Sequence, residues 1–151
     1  MTPRAPARKV PTAPAAPTAP AARRRKAAAA VPIVLDSSCW LEFFADTPRA
    51  DLYASAIEAA EQLVVPVLTL YEVARKLSRE AGDDVASAAL SLMQRGRVVP
   101  IDTTLALAAA TNGLPTADSL IYATALVHGA QLWTQDAHFE GLAGVRYFPK
   151  N

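Results

Sequence analysis

Five short runs of Val, Ile and Leu recur along the chain: VPIVL at 31–35, QLVVPVL at 62–68, RVVPI at 97–101, QLWTQ at 131–135 and VRYF at 145–148. Longer segments of helical period separate them. Short apolar runs with no polar face suit strands buried from both sides, and strands alternating with helices are joined by crossovers into parallel pairs. The expected architecture is α/β: a parallel sheet of about five strands flanked by helices in three layers, α/β/α. Open parallel sheets bind ligands outside the carboxyl ends of their strands, where loops lead into helices.

The helical segments follow from spacing. SCWLEFF (38–44) begins the first, and RADLYASAIEAAEQ (49–62) forms a second with Leu52, Ala56, Ala59 and Ala60 on one stripe. TLYEVARKLSREA (69–81) sets Leu70, Val73, Ala74 and Leu77 at i, i+3, i+4 and i+7, and its opening Thr69-Leu-Tyr-Glu72 has the form of a capping box. DDVASAALSLMQRG (83–96) closes on Gly96, TLALAAAT (104–111) follows, and TADSLIYATALVHG (116–129) opens near Pro115 and closes on Gly129.

Composition divides the chain in two. Residues 1–30 are almost wholly Ala, Pro, Thr, Arg and Lys, and hold seven of the 15 basic residues and none of the 14 acids. Such a segment buries too little apolar surface to offset its ordering entropy, so a disordered basic tail is expected. Residues 31–151 then form one domain with eight basic residues against 14 acids, a net of −6. The tail suits non-specific contact with phosphates or simple solubilisation. RRRK before AAAAVPIVL has the charge and apolarity of a secretory leader, but Asp36 and two serines follow with no small-residue cleavage site. No apolar run approaches the roughly 18 residues of a membrane span. A soluble, cytoplasmic domain is expected. A single cysteine, Cys39, excludes an intrachain disulfide and any cysteine-cluster metal site, and its apolar neighbours suit a buried packing role.

Four acids fall where a parallel sheet collects functional groups. Asp36 ends the first strand, Glu72 opens the helix after the second, Asp118 opens the helix from 116, and Asp136 ends the strand QLWTQ. Converging carboxylates repel one another and are tolerated when a divalent cation neutralises them; hard oxygen ligands select Mg²⁺ or Mn²⁺. Each acid taken singly also makes sense as a helix cap or first-turn residue, and Asp102 follows a strand in the same way with no chemistry to assign. Other chemistries lack their parts. His128 and His138 read as ordinary surface or packing residues, and glycine-rich phosphate loops, GxSxG and HExxH are absent. A phosphoacceptor domain would need a lysine at a late strand end, whereas residues 31–151 hold only Lys76, within a helix, and Lys150.

IVLDSS (33–38), LTLYEVARKL (68–77) and above all LPTADSLIYATALVHGAQLWTQDAHF (114–139) together resemble the PIN domain family, in particular its VapC-type ribonuclease toxins. The resemblance spans 31 to about 148. It implies that Asp36, Glu72, Asp118 and Asp136 are the four acidic site residues, with Thr134 as the hydroxyl two residues before the last acid and Ser37 and Ser38 beside the metal. Asp36, Asp118 and Asp136 are the preferred ligands, and Glu72 either binds metal or orients water. It further implies an Mg²⁺- or Mn²⁺-dependent endoribonuclease, a homodimer, and a cognate antitoxin protein that enters the acidic cleft. Metal-activated water as the nucleophile leaves 5′-phosphate and 3′-hydroxyl ends. Because an acidic pocket repels RNA, Arg75, Arg79, Arg95, Arg97 and the tail are candidates for backbone contact, and Trp40, Tyr71 or Trp133 for base stacking wherever exposed; Trp133, in an apolar strand, is expected in the core. Residues 1–30 depart from the family pattern. The alternatives are a catalytically silent PIN-like module that binds RNA or protein, and an unrelated α/β domain whose acids are only caps.

Overall fold

A computed structural model describes residues 30–150; the basic tail expected over 1–30 lies, but for its last residue, outside them. The order is β1 (Ile33–Leu35), α1 (Ser37–Phe44), α2 (Ala50–Glu58), a 3₁₀ turn (Ala60–Gln62), β2 (Val64–Pro66), α3 (Val67–Ala81), α4 (Asp83–Met93), β3 (Arg97–Val99), α5 (Thr103–Ala110), α6 (Thr116–Val127), β4 (Gln131–Thr134), a second 3₁₀ turn (Ala137–Phe139) and β5 (Val145–Tyr147).

All strand pairs are parallel. One block has the order β1-β4-β5, the other pairs β2 with β3, and a parallel bridge between Ile33 and Leu63 joins them. The strand order across the joint is thus β3-β2-β1-β4-β5, and the architecture is the parallel α/β arrangement that the alternating pattern implies.

The two-residue period of the strands divides the core into two layers. Leu35, Val65 and Trp133 pack with Cys39 and Trp40 of α1, Tyr53 and Ile57 of α2, Val73 and Leu77 of α3, and Met93 of α4. Val34, Val64, Val99 and Leu132 point the other way, onto Ile121, Tyr122 and Ala125 of α6 and Phe139. Both faces of β1, β2 and β4 are largely buried, which is why these strands read as continuous apolar runs. Cys39 and Trp133 are core residues as expected, and Trp40 joins them. Among the described residues no helix is long and apolar enough to cross a membrane.

Several element boundaries differ from the sequence pattern. α3 starts at Val67, immediately after the strand, with Pro66 in the capping position and no side-chain cap. Proline has no N–H to satisfy and its fixed φ suits a helix entrance. The capping box at Thr69–Glu72 is therefore not formed: Thr69 is buried in the first helical turn, and Glu72 lies one turn further in. In α2 the buried stripe is Ala50, Tyr53, Ala56 and Ile57, whereas Leu52 is exposed. Tyr53 and Ile57 bury more apolar area than the alanines of the expected stripe, so they decide the face.

Candidate active site

The carboxyl edge of the sheet carries a cavity of about 330 Å³ lined by Asp36, Ser37, Ser38, Glu72, Asp118, Gln135, Asp136 and Lys150. All four acids singled out in the sequence therefore face one cavity. They arrive from different elements: Asp36 from the turn after β1, Glu72 from α3, Asp118 from the first turn of α6, and Asp136 from the turn after β4.

Asp36 is the most enclosed, at 6% exposure. Its Oδ1 accepts the Ser37 N–H at 2.9 Å and its Oδ2 accepts the Thr134 hydroxyl at 2.8 Å. The Thr134 Oγ1 in turn accepts the Asp136 N–H at 3.0 Å, so one hydroxyl fixes two of the acidic positions. Burial raises the Asp36 carboxyl from 3.8 to about 6, against the pull of Thr134 and Ser37, and the charges of Asp118 and Glu72 push the same way. Glu72 is raised chiefly by burial, partly offset by the Ser37 hydroxyl. Asp118 is raised by burial and by Asp136, with His138 opposing. Three carboxyls thus resist ionisation where they meet.

The tightest part of the cluster includes a residue the sequence reading set aside. Asp118, Asp136 and His138 bring one ligand atom each to within 4.8 Å of one another. His138 Nδ1 lies 3.1 Å from Asp118 Oδ2 and 3.3 Å from Asp136 Oδ1. His138 is therefore not an ordinary surface residue. Its backbone N–H donates to Asp136 Oδ1 at 2.9 Å, and that 3₁₀ turn brings the ring back over both acids. Its spacing of two residues from Asp136 in DAHF was the available signal. His128, in contrast, sits at the end of α6 with Nδ1 3.0 Å from the Thr124 carbonyl, a structural contact.

Gln135 and Lys150 were also missed. Buried Gln135 receives the Arg49 Nε–H at 2.7 Å and the Tyr53 hydroxyl at 3.0 Å on its Oε1, and donates through Nε2 to Glu42 at 2.7 Å. These bonds lock the wall behind the acids, and Gln135 holds Glu42 below the usual carboxylate range, with Thr47 contributing. Arg49 also donates to the carbonyls of Phe148 and Pro149, tethering the segment that delivers Lys150 to the cavity. A lysine next to the end of the sequence gave no hint of this position.

The donor set suits a hard divalent cation. Glu72 Oε1 and Ser38 Oγ are buried without a hydrogen-bond partner, and an unpaired buried oxygen beside other carboxylates is costly unless something positive satisfies it. Asp36 retains free lone pairs beside its two accepted bonds. Carboxylate oxygens, with at most one imidazole, favour Mg²⁺ or Mn²⁺ over the soft metals that need thiolates. Cys39 takes no part: it is buried, burial and the nearby Asp36 charge push its thiol to about 12, and it bonds the Trp133 carbonyl.

The candidate RNA-contacting residues are not brought together equally. Arg97 opens β3 and Arg95 precedes it, at the amino edge of the sheet, away from the acids. Arg75 lies on α3, one turn beyond Glu72, with Arg79 a turn further. Of the three aromatic candidates only Tyr71 is exposed.

Comparison with known proteins follows the same lines. The family model described as PIN domain matches residues 33–145. Ribonuclease VapC22 of Mycobacterium tuberculosis is 34% identical over 113 residues, covering 69% of this chain and 86% of that protein. A toxin-antitoxin complex from Klebsiella pneumoniae contains a similar chain, with a TM-score of 0.66 and 22% identity over 78% of this chain and 99% of that one. DNA-bound VapBC from Salmonella typhimurium gives 0.59 at 17% identity, over 80% and 98%. At those identities the two structures speak for the fold.

Proposed function

The chain belongs to the PIN domain family, and from that premise we propose that it is a metal-dependent endoribonuclease acting as the toxin of a toxin-antitoxin pair. The observation that carries the reading is the single cavity in which Asp36, Glu72, Asp118 and Asp136 converge. The similarity to a protein named a ribonuclease supports RNA as substrate, and the likeness to a chain of a toxin-antitoxin complex supports a protein antitoxin as partner. We further propose a homodimer that works in the cytoplasm, with residues 31–151 as the nuclease domain and residues 1–30 as a basic tail.

Asp36, Asp118 and Asp136 would hold the cation, Mg²⁺ or Mn²⁺, with Glu72 as fourth ligand or as the group that orients water. Bound there, a divalent ion supplies a lowered water pKa and positive charge opposite the phosphate. The chain's own residues do the rest. Thr134 fixes the Asp36 carboxylate through Oδ2 and the Asp136 backbone through its N–H. Where Glu72 orients water and does not bind the ion, its unpartnered Oε1 is the atom that takes the proton from attacking water, and its raised pKa brings it nearer the working pH of a general base. His138 holds Asp118 and Asp136 close together. Lys150 brings a positive charge to the cavity wall, where a phosphate must approach. Water rather than the ribose 2′-hydroxyl attacks, so the products carry 5′-phosphate and 3′-hydroxyl ends.

Purified protein is expected to cleave structured RNA with Mg²⁺ or Mn²⁺ and to stop in EDTA. Asp36→Asn and Asp118→Asn should each lower kcat by about 100-fold or more, as when a group acting on developing charge is removed. Residues 31–151 alone should show the same metal requirement. Cleavage that persists in EDTA, or in both variants, overturns the metal mechanism.

A further inference from the structure

An acidic cavity needs cations nearby to draw a phosphate backbone in, and of the eight basic residues from 31 to 151 three are already engaged and two stand elsewhere. Arg49 is spent on Gln135, Phe148 and Pro149. The Arg146 guanidinium lies 4.5 Å from the Trp133 ring centroid and 4.8 Å from that of Phe148. Lys76 pairs with Glu80 at 3.0 Å. Arg95 and Arg97 belong to the opposite edge. Besides Lys150, on the cavity wall, this leaves Arg75 and Arg79, which have no acidic partner among the described residues.

Both stand on α3 in register with Tyr71: positions 71, 75 and 79 follow one another at four-residue intervals, each about 6 Å further along the axis. Tyr71 is 55% exposed, and the Arg75 guanidinium donates to its hydroxyl at 2.8 Å. Tyr71, Glu72, Arg75, Lys76, Arg79 and Glu80 line a shallow groove of about 400 Å³. Glu72 lines both this groove and the acid cavity, so the two adjoin at its side chain. Glu80, the other acid of the groove, is the one neutralised by Lys76.

We infer that this face of α3 is the track along which single-stranded or loop RNA enters the acid cavity, with a base stacked on Tyr71 and phosphates on Arg75 and Arg79. The inference rests on the ribonuclease reading and adds the substrate's path and strandedness. An aromatic ring beside cations is what sequence-tolerant single-strand binding uses. Within an A-form duplex both faces of each base are covered, so Tyr71 has a surface to stack on only where RNA is unpaired.

The test is fluorescence anisotropy of a labelled single-stranded oligoribonucleotide and of the matching duplex in EDTA, alongside steady-state cleavage in Mg²⁺. The Arg75→Ala/Arg79→Ala double variant should weaken single-strand binding about tenfold, lower the slope of log K against log salt by about 1.4, as two lost phosphate contacts require, and raise KM with kcat within about twofold. Tyr71→Ala should cost at least about fivefold in single-strand affinity and leave duplex binding unchanged, while Tyr71→Phe retains the affinity. Arg95→Ala/Arg97→Ala is expected to match the wild type. All these side chains are exposed, and Arg75→Gln/Arg79→Gln replaces the alanine pair if that variant melts early. Wild-type affinity and salt slope in the α3 variants overturn the inference, as does loss of a co-purifying protein with RNA binding intact, which would make the face a protein contact. Absence of cleavage with α3-dependent binding preserved would sink the nuclease reading and leave the track standing.

Discussion

Asp36 and Asp102 have the same local signature: each follows an apolar run and caps the next helix, accepting the N–H of Ser37 and of Leu105 respectively. Burial and neighbours separate them: Asp36, at 6% exposure, accepts the Thr134 hydroxyl and faces Glu72 and Asp118, whereas Asp102 is in the open. The consequence is a titration in the functional range. The folded-state pKa of Asp36, about 6, stands above its ordinary 3.8, so the folded protein binds this proton more tightly than the unfolded chain. Its stabilising contribution is complete below 3.8 and is lost as pH rises through 6. Ionised Asp36 then costs about 3 kcal/mol at neutral pH, from roughly two pH units at 1.36 kcal/mol each. In EDTA, the wild type is expected to melt at a higher temperature at pH 5 than at pH 7.5. Asp36→Asn should flatten that profile and be the more stable protein at pH 7.5, and Mg²⁺ should raise the melting temperature of the wild type and not of the variant. A flat wild-type profile would show that the carboxylate is solvated and only a cap.

At the scale of elements, the order of strands and helices was legible because short unbroken apolar runs alternate with longer segments of period 3.6. Their edges were not. In VVPVL the apolar pattern continues unbroken from β2 into α3, and only the backbone at Pro66 marks the change. In α2 nearly every position is apolar or small, so a stripe through Leu52 fits the spacing as well as the one through Tyr53 that the fold buries. Gly96 is a further case. Read as a helix terminator, it follows the end of α4 and is needed for a different reason: a Cβ there would meet Leu63 Cβ at 2.9 Å and Val65 Cγ2 at 3.0 Å. Gly96→Ala should therefore cost about 1–3 kcal/mol by pushing β3 off β2, measured as a lower urea midpoint with an unchanged m-value. A neutral result would mean that the strand pair accommodates a methyl group by shifting.

For the molecule as a whole, the parallel topology carried most of the site. Once all strands point one way, acids at the ends of β1 and β4 and in the helices α3 and α6 meet at one edge without any local signal saying so. What escaped was whatever depended on side-chain direction in short turns and on the path of the carboxyl-terminal segment: His138 bent back over Asp118, Gln135 inside its bonded wall, Lys150 carried in by Arg49. Charge told a half-truth. The net of −6 over residues 31–151 says nothing of where its charges stand, and pairing and position leave Arg75 and Arg79 on the helix that carries Glu72.

The sheet itself has a joint. Among the described residues, one bridge, Ile33 to Leu63, and otherwise side-chain packing join the β1-β4-β5 block to the β2-β3 pair. Asp36 and Asp136 stand on one bank of that joint and Glu72 on the other. A cation held by all three, as proposed above, would act mechanically as a rivet through two plates and fasten the fold as well as serve the reaction. In hydrogen exchange, the amides of Leu63 to Val65 should lose protection when EDTA replaces Mg²⁺, while those of Leu132 to Thr134, inside a full ladder, keep theirs. Equal loss in both strands would mean the plates move as one. If they part, occupancy of the acid cavity would set how firmly the two halves of the sheet hold together.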